Sequence, residues 1–524
     1  MPRSQAVTRT GWATRFGLIM AVAGNAVGLG NFLRFPGKAA PYGGAFMVPY
    51  FLGLVLLGIP LMWMEWTIGR HGGQFGHGST PGMFHRMWNN PLSKYIGIFG
   101  VLLPAMVGVY YIYIESWALG YAWQTLTGAY WGKTSQTAMA SVFSDYLGLG
   151  GPLSFSARAY LFFLLAFAAN ILIMSLSISK GIEFVAKYAM PALLVLGVVL
   201  AIRVLTLPPI EGRTVADGLA QIWHVSDWSV LRHSDVWIAA TGQIFFTLSV
   251  GLGMVHSYAS YLNYKHDITL SGLTSCTTNE FVEVVLGSTI AIPAAVVFFG
   301  VADTRAILGQ GTFAIGFHAL PVIFQKMPAG QVFGVMWFIL LFLAGLTSSM
   351  AMFTPLLLFL EDELGLTRKR AATGIALCVF CLMQPVVLFY DRGVMDELDY
   401  WMGDFGLVLF GALEAVVFAW IFGMKKGWTE MHAGADLQVP RIFYYVMKYV
   451  TPVFALTLVV WSAQDSLWRR ITMQGVVPQN IPFLWLARAM MLAMAGFLIW
   501  GVRHAWRTHP KFFEEAAAKP EAAK

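Results

Sequence analysis

The residues best equipped for chemistry in this chain stand where a membrane would least tolerate them. Gly24-Asn25-Ala26-Val27-Gly28-Leu29-Gly30-Asn31, followed by Arg34, Phe35 and Pro36, lies inside the first long hydrophobic segment. Glycine costs about 1 kcal/mol relative to alanine in a helix interior, and amides and an arginine are each disfavoured in lipid. Three glycines within this stretch predict a helix that stops, opens its backbone and restarts. Opened backbone in hydrocarbon survives only where it lines a protein cavity or binds something polar, so residues 24 to 31 are expected to form a binding site near mid-membrane. Taken alone, Gly24-x-x-x-Gly28 also fits a helix-packing face. The same anomaly recurs in Phe245-Phe246-Thr247-Leu248-Ser249-Val250-Gly251-Leu252-Gly253, where hydroxyls and glycines again interrupt an apolar helix.

The elements that must position these stretches are membrane spans. Of 524 residues, 57% are hydrophobic and only 12% charged, which excludes an ordinary soluble domain. Segments of about 20 apolar residues can be read near 13–38, 43–68, 93–124, 158–178, 184–206, 236–262, 269–300, 331–361, 371–390, 401–422, 443–463 and 484–505. The layout is a segment 1–12, a first half at 13–206, an outer loop at 207–235, a second half at 236–422, a last pair at 443–505 and a tail at 506–524. The interrupted run 301–328, with Gly309, Gly311, Gly316 and Pro321, looks like a folded-back lid. The first and sixth spans open two halves of five spans each. Five is odd, so the halves enter the membrane from opposite sides and can form an inverted repeat, with two broken helices facing each other at a transport site.

The net charge of +7 does not point to nucleic acid, because the basic residues lie in short loops. Their excess on one set of alternate loops, including Arg70, Arg86, Lys265 and Arg368-Lys369-Arg370, places those loops and both termini in the cytoplasm. The first span lacks a small-residue cleavage site and is expected to be retained. Three cysteines build no disulfide framework, and Cys378 and Cys381 read as core filling.

Trp12-Ala13-Thr14-Arg15, the stretch from Gly24 to Pro36, Gly44-Ala45-Phe46, the run from Gly242 to Ser249, Ala344-Gly345-Leu346-Thr347-Ser348-Ser349 and the run from Asp396 to Trp401 occur in order along nearly the whole chain. Together they resemble the neurotransmitter:sodium symporter family, and its bacterial amino-acid transporters in particular. The resemblance implies an all-α integral membrane protein of the leucine-transporter fold, with about twelve helices, a five-plus-five inverted repeat and broken first and sixth helices. It also implies a multi-pass protein of the bacterial inner membrane that takes a hydrophobic amino acid with Na+, and needs no organic cofactor. Oligomeric state is left open.

By motif position, the resemblance implies a first sodium site made of the Ala26 and Thr247 carbonyls, the Asn31 and Asn279 side chains, the Thr247 hydroxyl and the substrate's own carboxylate. The second would use the Gly24, Val27 and Ala344 carbonyls with the Thr347 and Ser348 hydroxyls. Oxygen ligands suit a hard cation. The substrate carboxylate would meet the Leu29 and Gly30 N–H groups and the Tyr111 hydroxyl, and the ammonium the Ala26 and Phe246 carbonyls with Thr247 and Ser348. Val107, Tyr111, Phe246, Ser249, Leu252, Ser348 and Met352 would hold the side chain. None is charged, so the substrate should be neutral and apolar, and Leu252 with Met352 suggest room for aromatic as well as aliphatic groups. Gly28 stands where amine-transporting relatives carry an acid, which favours a substrate bringing its own carboxylate.

Arg34 would pair with Asp399 above Phe246 and Tyr111, and Arg9 with Asp362 near Tyr261, forming two gates. Glu283, beside Tyr50, Gln243 and Ser249 or its neighbours, would replace the chloride of chloride-dependent relatives, and H+ countertransport through it would follow. Gly181 and Pro191 match a motif linked to local unwinding, although a kinked helix has the same signal. Glu65, Glu115 and Glu414 are expected to partner opened backbone or one another. Another zwitterionic solute, or a binding-only sensor of the same fold, remains an alternative. An enzyme is disfavoured by the lack of H-E-x-x-H, G-x-S-x-G or a metal-spaced histidine cluster, and a channel by charged groups expected at both ends of the site.

Overall fold

In lipid, backbone polar groups must be satisfied within the protein, and a chain this apolar does so with helices. The computed structural model describes residues 11–508, so Arg9 and the tail beyond Thr508 lie outside the described residues. Among the described residues every named element is helical. Ten helices are long and apolar enough to cross a membrane, and Arg15–Ala26 with Gly30–Ala39 makes a further span bent by 42°. The broken sixth span, Ser234–Thr247 with Met254–Ala259, completes the expected order.

The first span starts where Thr14 caps it, its hydroxyl accepting the Gly17 N–H at 2.9 Å. Glu183 holds the approach to this helix by accepting the Ala13 N–H at 2.7 Å and the Thr14 N–H at 2.9 Å. The helix ends at Ala26 because Val27 is extended (φ −74°, ψ 101°), and the chain resumes as a π-helical turn at Gly30–Arg34. Glu183 itself closes another π-helical turn, Ser179–Glu183, at the start of the fifth span. Such turns add a residue to the helix and recur at functional positions.

In the sixth span the break is made by three residues with positive φ: Ser249 (56°), Gly251 (76°) and Gly253 (76°). Glycine is required at the last two for contact as well as conformation. A Cβ on Gly251 would lie 2.6 Å from the Leu407 carbonyl oxygen, and one on Gly253 would lie 2.1 Å from that of Gly100. Ser249 occupies the left-handed region at a cost of about 1 kcal/mol, offset by its hydroxyl donating to the Asn25 carbonyl at 3.0 Å.

The broken spans are surrounded unequally. The third span (Ser93–Thr127) and the seventh (Ile268–Phe299) have 83% of their apolar windows buried, against 28% for the fourth (Ala157–Ser175) and eleventh (Ile442–Ile471). The former pair therefore packs inside, and the latter presents apolar side chains outward. Cys378 and Cys381, expected to fill core, are instead exposed on the ninth span (Arg368–Leu388); that span is mostly periphery, where any apolar side chain is tolerated. The run at 301–328 forms three short helices, Val301–Gly309, Ile315–Ala319 and Leu320–Gln325. Phe317 from the second of these packs against Trp117, Tyr121 and Phe143 at 5.1–6.1 Å between ring centroids.

Candidate ion and substrate site

The two breaks meet at a small chamber of about 20 Å3 lined by Asn25, Ala26, Gly28, Gly30, Asn31, Val107, Tyr111, Phe246, Thr247, Ser249, Leu252, Ser348 and Met352. The structure thus brings together all seven residues expected around the substrate side chain. Leu29 differs: it lines a larger outer cavity of about 450 Å3 that shares only Gly30, Tyr111 and Phe246 with the chamber. Those shared residues form the partition. Arg34 lies over the Phe246 ring at 4.2 Å, as a cation–π contact.

Asn31 organises one wall. Its Oδ1 accepts the Gly28 N–H at 2.8 Å, and its Nδ2 donates to Thr247 Oγ1 at 3.1 Å and Asn279 Oδ1 at 2.9 Å. The Asn279 oxygen also faces the Ala26 carbonyl at 3.1 Å and the Thr247 carbonyl at 3.3 Å. Turned over, the Asn279 amide nitrogen donates to both carbonyls and its oxygen accepts from the Thr247 hydroxyl at 3.0 Å, so the group is satisfied. The residues fit the expected first sodium site. The Thr247 hydroxyl donates to Glu283, which turns its lone pairs back toward this group.

The second cluster joins the first and eighth spans. Ser348 Oγ lies 3.2 Å from the Gly24 carbonyl, 3.3 Å from that of Val27 and 3.3 Å from that of Asn25. Thr347 Oγ1 donates within its own helix, to Leu343 at 3.0 Å or Ala344 at 3.2 Å, as serines and threonines in apolar helices commonly do. Gly24 keeps the helices together, since a Cβ there would lie 3.1 Å from the Thr347 Cβ. The donor set again suits a hard cation.

Gly28 and Leu29 show what the break does with its freed groups. The Leu29 N–H, expected to await a carboxylate, already donates to Tyr111 Oη at 2.9 Å. A Cβ on Gly28 would lie 2.6 Å from Tyr111 Oη and 2.8 Å from Ser348 Oγ, so this packing leaves no room for an acidic side chain there. Asn25 is a participant the sequence reading passed over. It is fully buried, its side-chain amide has no hydrogen-bond partner among the described residues, and it borders the chamber.

The outer ion pair is not the expected one. Arg34 bonds Asp404, while Asp399 accepts from Tyr110 Oη at 2.6 Å. Both carboxylates lie in the π-helical turn Asp399–Phe405, where a spacing of five returns to the same face, so the turn offers Arg34 two acids in place of one. At the other end, Asp362 accepts the Gly78 N–H at 2.9 Å, and its expected partner Arg9 lies outside the described residues. Trp12 there stacks edge-on against Tyr258 at 5.3 Å and donates to its carbonyl at 3.2 Å.

Glu283 is fully buried and accepts from Tyr50 Oη at 2.8 Å, from Gln243 Nε2 at 3.2 Å and from Thr247. Ser249, expected beside it, turns instead to the Asn25 carbonyl, because its positive φ aims it at the first span. The unforeseen neighbour is Glu280, which shares the Tyr50 hydroxyl at 2.7 Å. Of the other buried acids, Glu65 accepts the Gly251 N–H, as expected of a partner for opened backbone. Glu115 is held by Ser349 at 2.6 Å and by Asn170 at 3.3 Å.

Two helices broken at mid-span and facing each other across a narrow chamber are the architecture of a secondary transporter. The chain belongs to the Sodium:neurotransmitter symporter family, whose model matches residues 9–148 and 153–500. It is a multi-pass membrane transporter that uses sodium, and not an enzyme. An uncharacterized sodium-dependent transporter of Methanocaldococcus jannaschii is 27% identical over 88% of this chain and 91% of its own length. A sodium- and chloride-dependent betaine transporter of Caenorhabditis elegans is 26% identical, over 87% of this chain and 81% of its own. Among solved structures, the crystal structure of MhsT in complex with L-phenylalanine is similar at a TM-score of 0.75 and 26% identity, covering 86% of this chain and 99% of that one. The fold is that of the leucine transporters, with its five-plus-five inverted repeat.

Proposed function

We propose that this protein is a sodium-coupled symporter of neutral hydrophobic L-amino acids, aliphatic to aromatic, working by alternating access with two sodium ions per substrate and no need for chloride. The observation that carries the reading is the chamber itself: no charged side chain lines it, and oxygen-bearing groups adjoin it at Asn31 with Thr247 and at Gly24 with Ser348. The ion nearest Asn31 and Thr247 would touch the substrate carboxylate, coupling the two bindings directly. The other, between Gly24, Val27 and Ser348, would tie the first span to the eighth. The phenylalanine held by the similar MhsT structure supports a substrate with an aromatic side chain.

Each sodium moved inward across 100 mV contributes about 2.3 kcal/mol, so two drive accumulation of a zwitterion effectively. At about 20 Å3 the chamber is too tight for any amino acid, and entry requires Phe246 and Tyr111 to part and Arg34 to leave Asp404. Both termini lie on the cytoplasmic side, and the helices between 301 and 328 act as the outer lid.

A binding screen of the twenty amino acids on purified protein, with and without sodium, tests this. Tryptophan and phenylalanine are expected to compete with radiolabelled leucine, and failure to compete in large excess would remove the aromatic claim. Glu283 supplies the negative charge that chloride supplies elsewhere. Glu283→Ser should therefore make uptake depend on chloride, and equal uptake by that variant in chloride-free medium would end this role.

A further inference from the structure

Behind the break of the sixth span lies a cluster that the ion and substrate sites leave unused. Glu65 of the second span (Gly43–Gln74), His256 of the short half-helix Met254–Ala259 and Glu414 of the tenth span (Val394–His432) are all fully buried. His256 Nδ1 lies 3.4 Å from Glu65 Oε2, and Nε2 lies 3.5 Å from Glu414 Oε2. None of these atoms, the two ring nitrogens, that Glu65 oxygen and both oxygens of Glu414, has a hydrogen-bond partner among the described residues, and the Glu65 and Glu414 carboxyls also lie within reach of each other. The second Glu65 oxygen accepts the Gly251 N–H in the break.

This geometry demands a proton. A neutral imidazole has one N–H and one lone pair. With a carboxylate on each side, the lone pair would face a second anionic oxygen, in a dry interior where an unpaired charge is most costly. Three arrangements place the proton among the three groups. The imidazolium donates to both carboxylates, a neutral imidazole donates to one and accepts from the carboxylic acid of the other, or one carboxylic acid donates to the other carboxylate beside a neutral imidazole. They contain the same number of protons and differ only in where one of them rests. The remaining charges nearby are engaged. On the helices packed against Met254–Ala259, Arg70 and His71 of the second span face Glu430, Arg15 of the first faces Asp267 and Asp436, and Thr354–Leu358 carries no charge. Glu65 and Glu414 are thus the charged partners of His256. One ligand atom from each of the three residues lies within 4.8 Å of the other two, so a metal ion is the competing occupant that the test must exclude.

We propose that Glu65, His256 and Glu414 form a proton-binding site that is assembled and dismantled by movement of the inner half of the sixth span. His256 rides on the short half-helix, and its partners sit on the second and tenth spans. Displacing the half-helix parts the ring from both carboxylates, and the shared proton passes to solvent water as an N–H or O–H bond breaks and a hydronium forms. The same displacement loosens the hold of Glu65 on Gly251. The link to solute movement rests on the transport reading above, while the existence of the bridge does not.

The test uses the full chain labelled with 15N-histidine and reconstituted in lipid, with the His256 signals assigned by their loss in His256→Leu. Both ring nitrogens of His256 are expected to be hydrogen-bonded, and Glu414→Gln is expected to shift both. A single-donor imidazole with a bare second nitrogen, insensitive to Glu414→Gln, overturns the site, as does one zinc per chain in the purified protein. In proteoliposomes with a clamped potential and a trapped pH dye, wild-type uptake is expected to move protons in a sodium- and substrate-dependent way, and His256→Leu to lose that movement while retaining uptake. Full proton movement in His256→Leu overturns the coupling. If the wild type takes up no solute with sodium, the transport reading fails and the nitrogen signals alone decide the bridge.

Discussion

The two helix breaks solve one problem by opposite means. In the first, freed N–H groups are taken up by neutral side chains close at hand, Asn31 for Gly28 and Tyr111 for Leu29. Its Gly24 and Asn25 carbonyls meet hydroxyls, from Ser348 and Ser249, and its Ala26 carbonyl the Asn279 amide. In the sixth, the chain turns through three residues of positive φ, and its exposed Gly251 N–H is held by the carboxylate of Glu65. The first break is therefore rich in oxygen without being anionic, a suitable lining for a cation that must later leave. The sixth is anchored by charge on a neighbouring span, which suits a joint. Both breaks line the chamber, and the sixth also has the form of a hinge.

The strongest challenge to this contrast is Asn31→Ala. It strips three hydrogen bonds from buried groups, each worth about 1–3 kcal/mol when left unpaired, and is expected to weaken sodium binding about 100-fold or more. A radiotracer sodium isotherm measures it, and a change of only a few fold would mean that this wall does not hold an ion. Gly251→Ala comes next. A left-handed alanine against the Leu407 carbonyl should cost about 2 kcal/mol of stability, visible as a lower melting temperature, while sodium affinity of the folded fraction stays nearly constant. A loss of sodium affinity as large as that of Asn31→Ala would merge hinge and site into one unit.

The smallest effect belongs to the outer end of the first span. Asp404→Asn should speed substrate release about threefold to tenfold, since a partly exposed pair is worth about 1 kcal/mol. Asp399→Asn should do less, because it loses the Tyr110 bond and not the contact with Arg34. Dissociation rates of bound radioligand compare the two, and the reverse order would restore Asp399 as the outer gate.

What could be read from residues alone follows the same division. Glycines, amides and hydroxyls in apolar helices announce broken backbone, because lipid forbids them elsewhere, and both breaks and the spans around them were legible for that reason. Pairings that depend on helical register were not. The π-helical turn at Asp399–Phe405 shifts every face that follows it, so Asp404 could not be distinguished from Asp399 by spacing. His256 carries no periodic signal either; a single histidine in an apolar run gives no hint of two carboxylates arriving from the second and tenth spans. Asn25 stood in plain view within the glycine stretch and was eclipsed by Asn31, the one asparagine of that stretch to which the resemblance gave a ligand role.

Glu183 has a mechanical consequence. By gripping the two peptide groups ahead of the first helix, and the Thr14 hydroxyl at 2.9 Å, it fastens the start of that helix to the turn that begins the fifth span. A Cβ on Gly17 would strike the Glu183 carboxylate at 2.2 Å, so nothing cushions the joint. The inner half of the first span is thus coupled like a lever to the fifth, and a pull on one end is delivered to the other without slack.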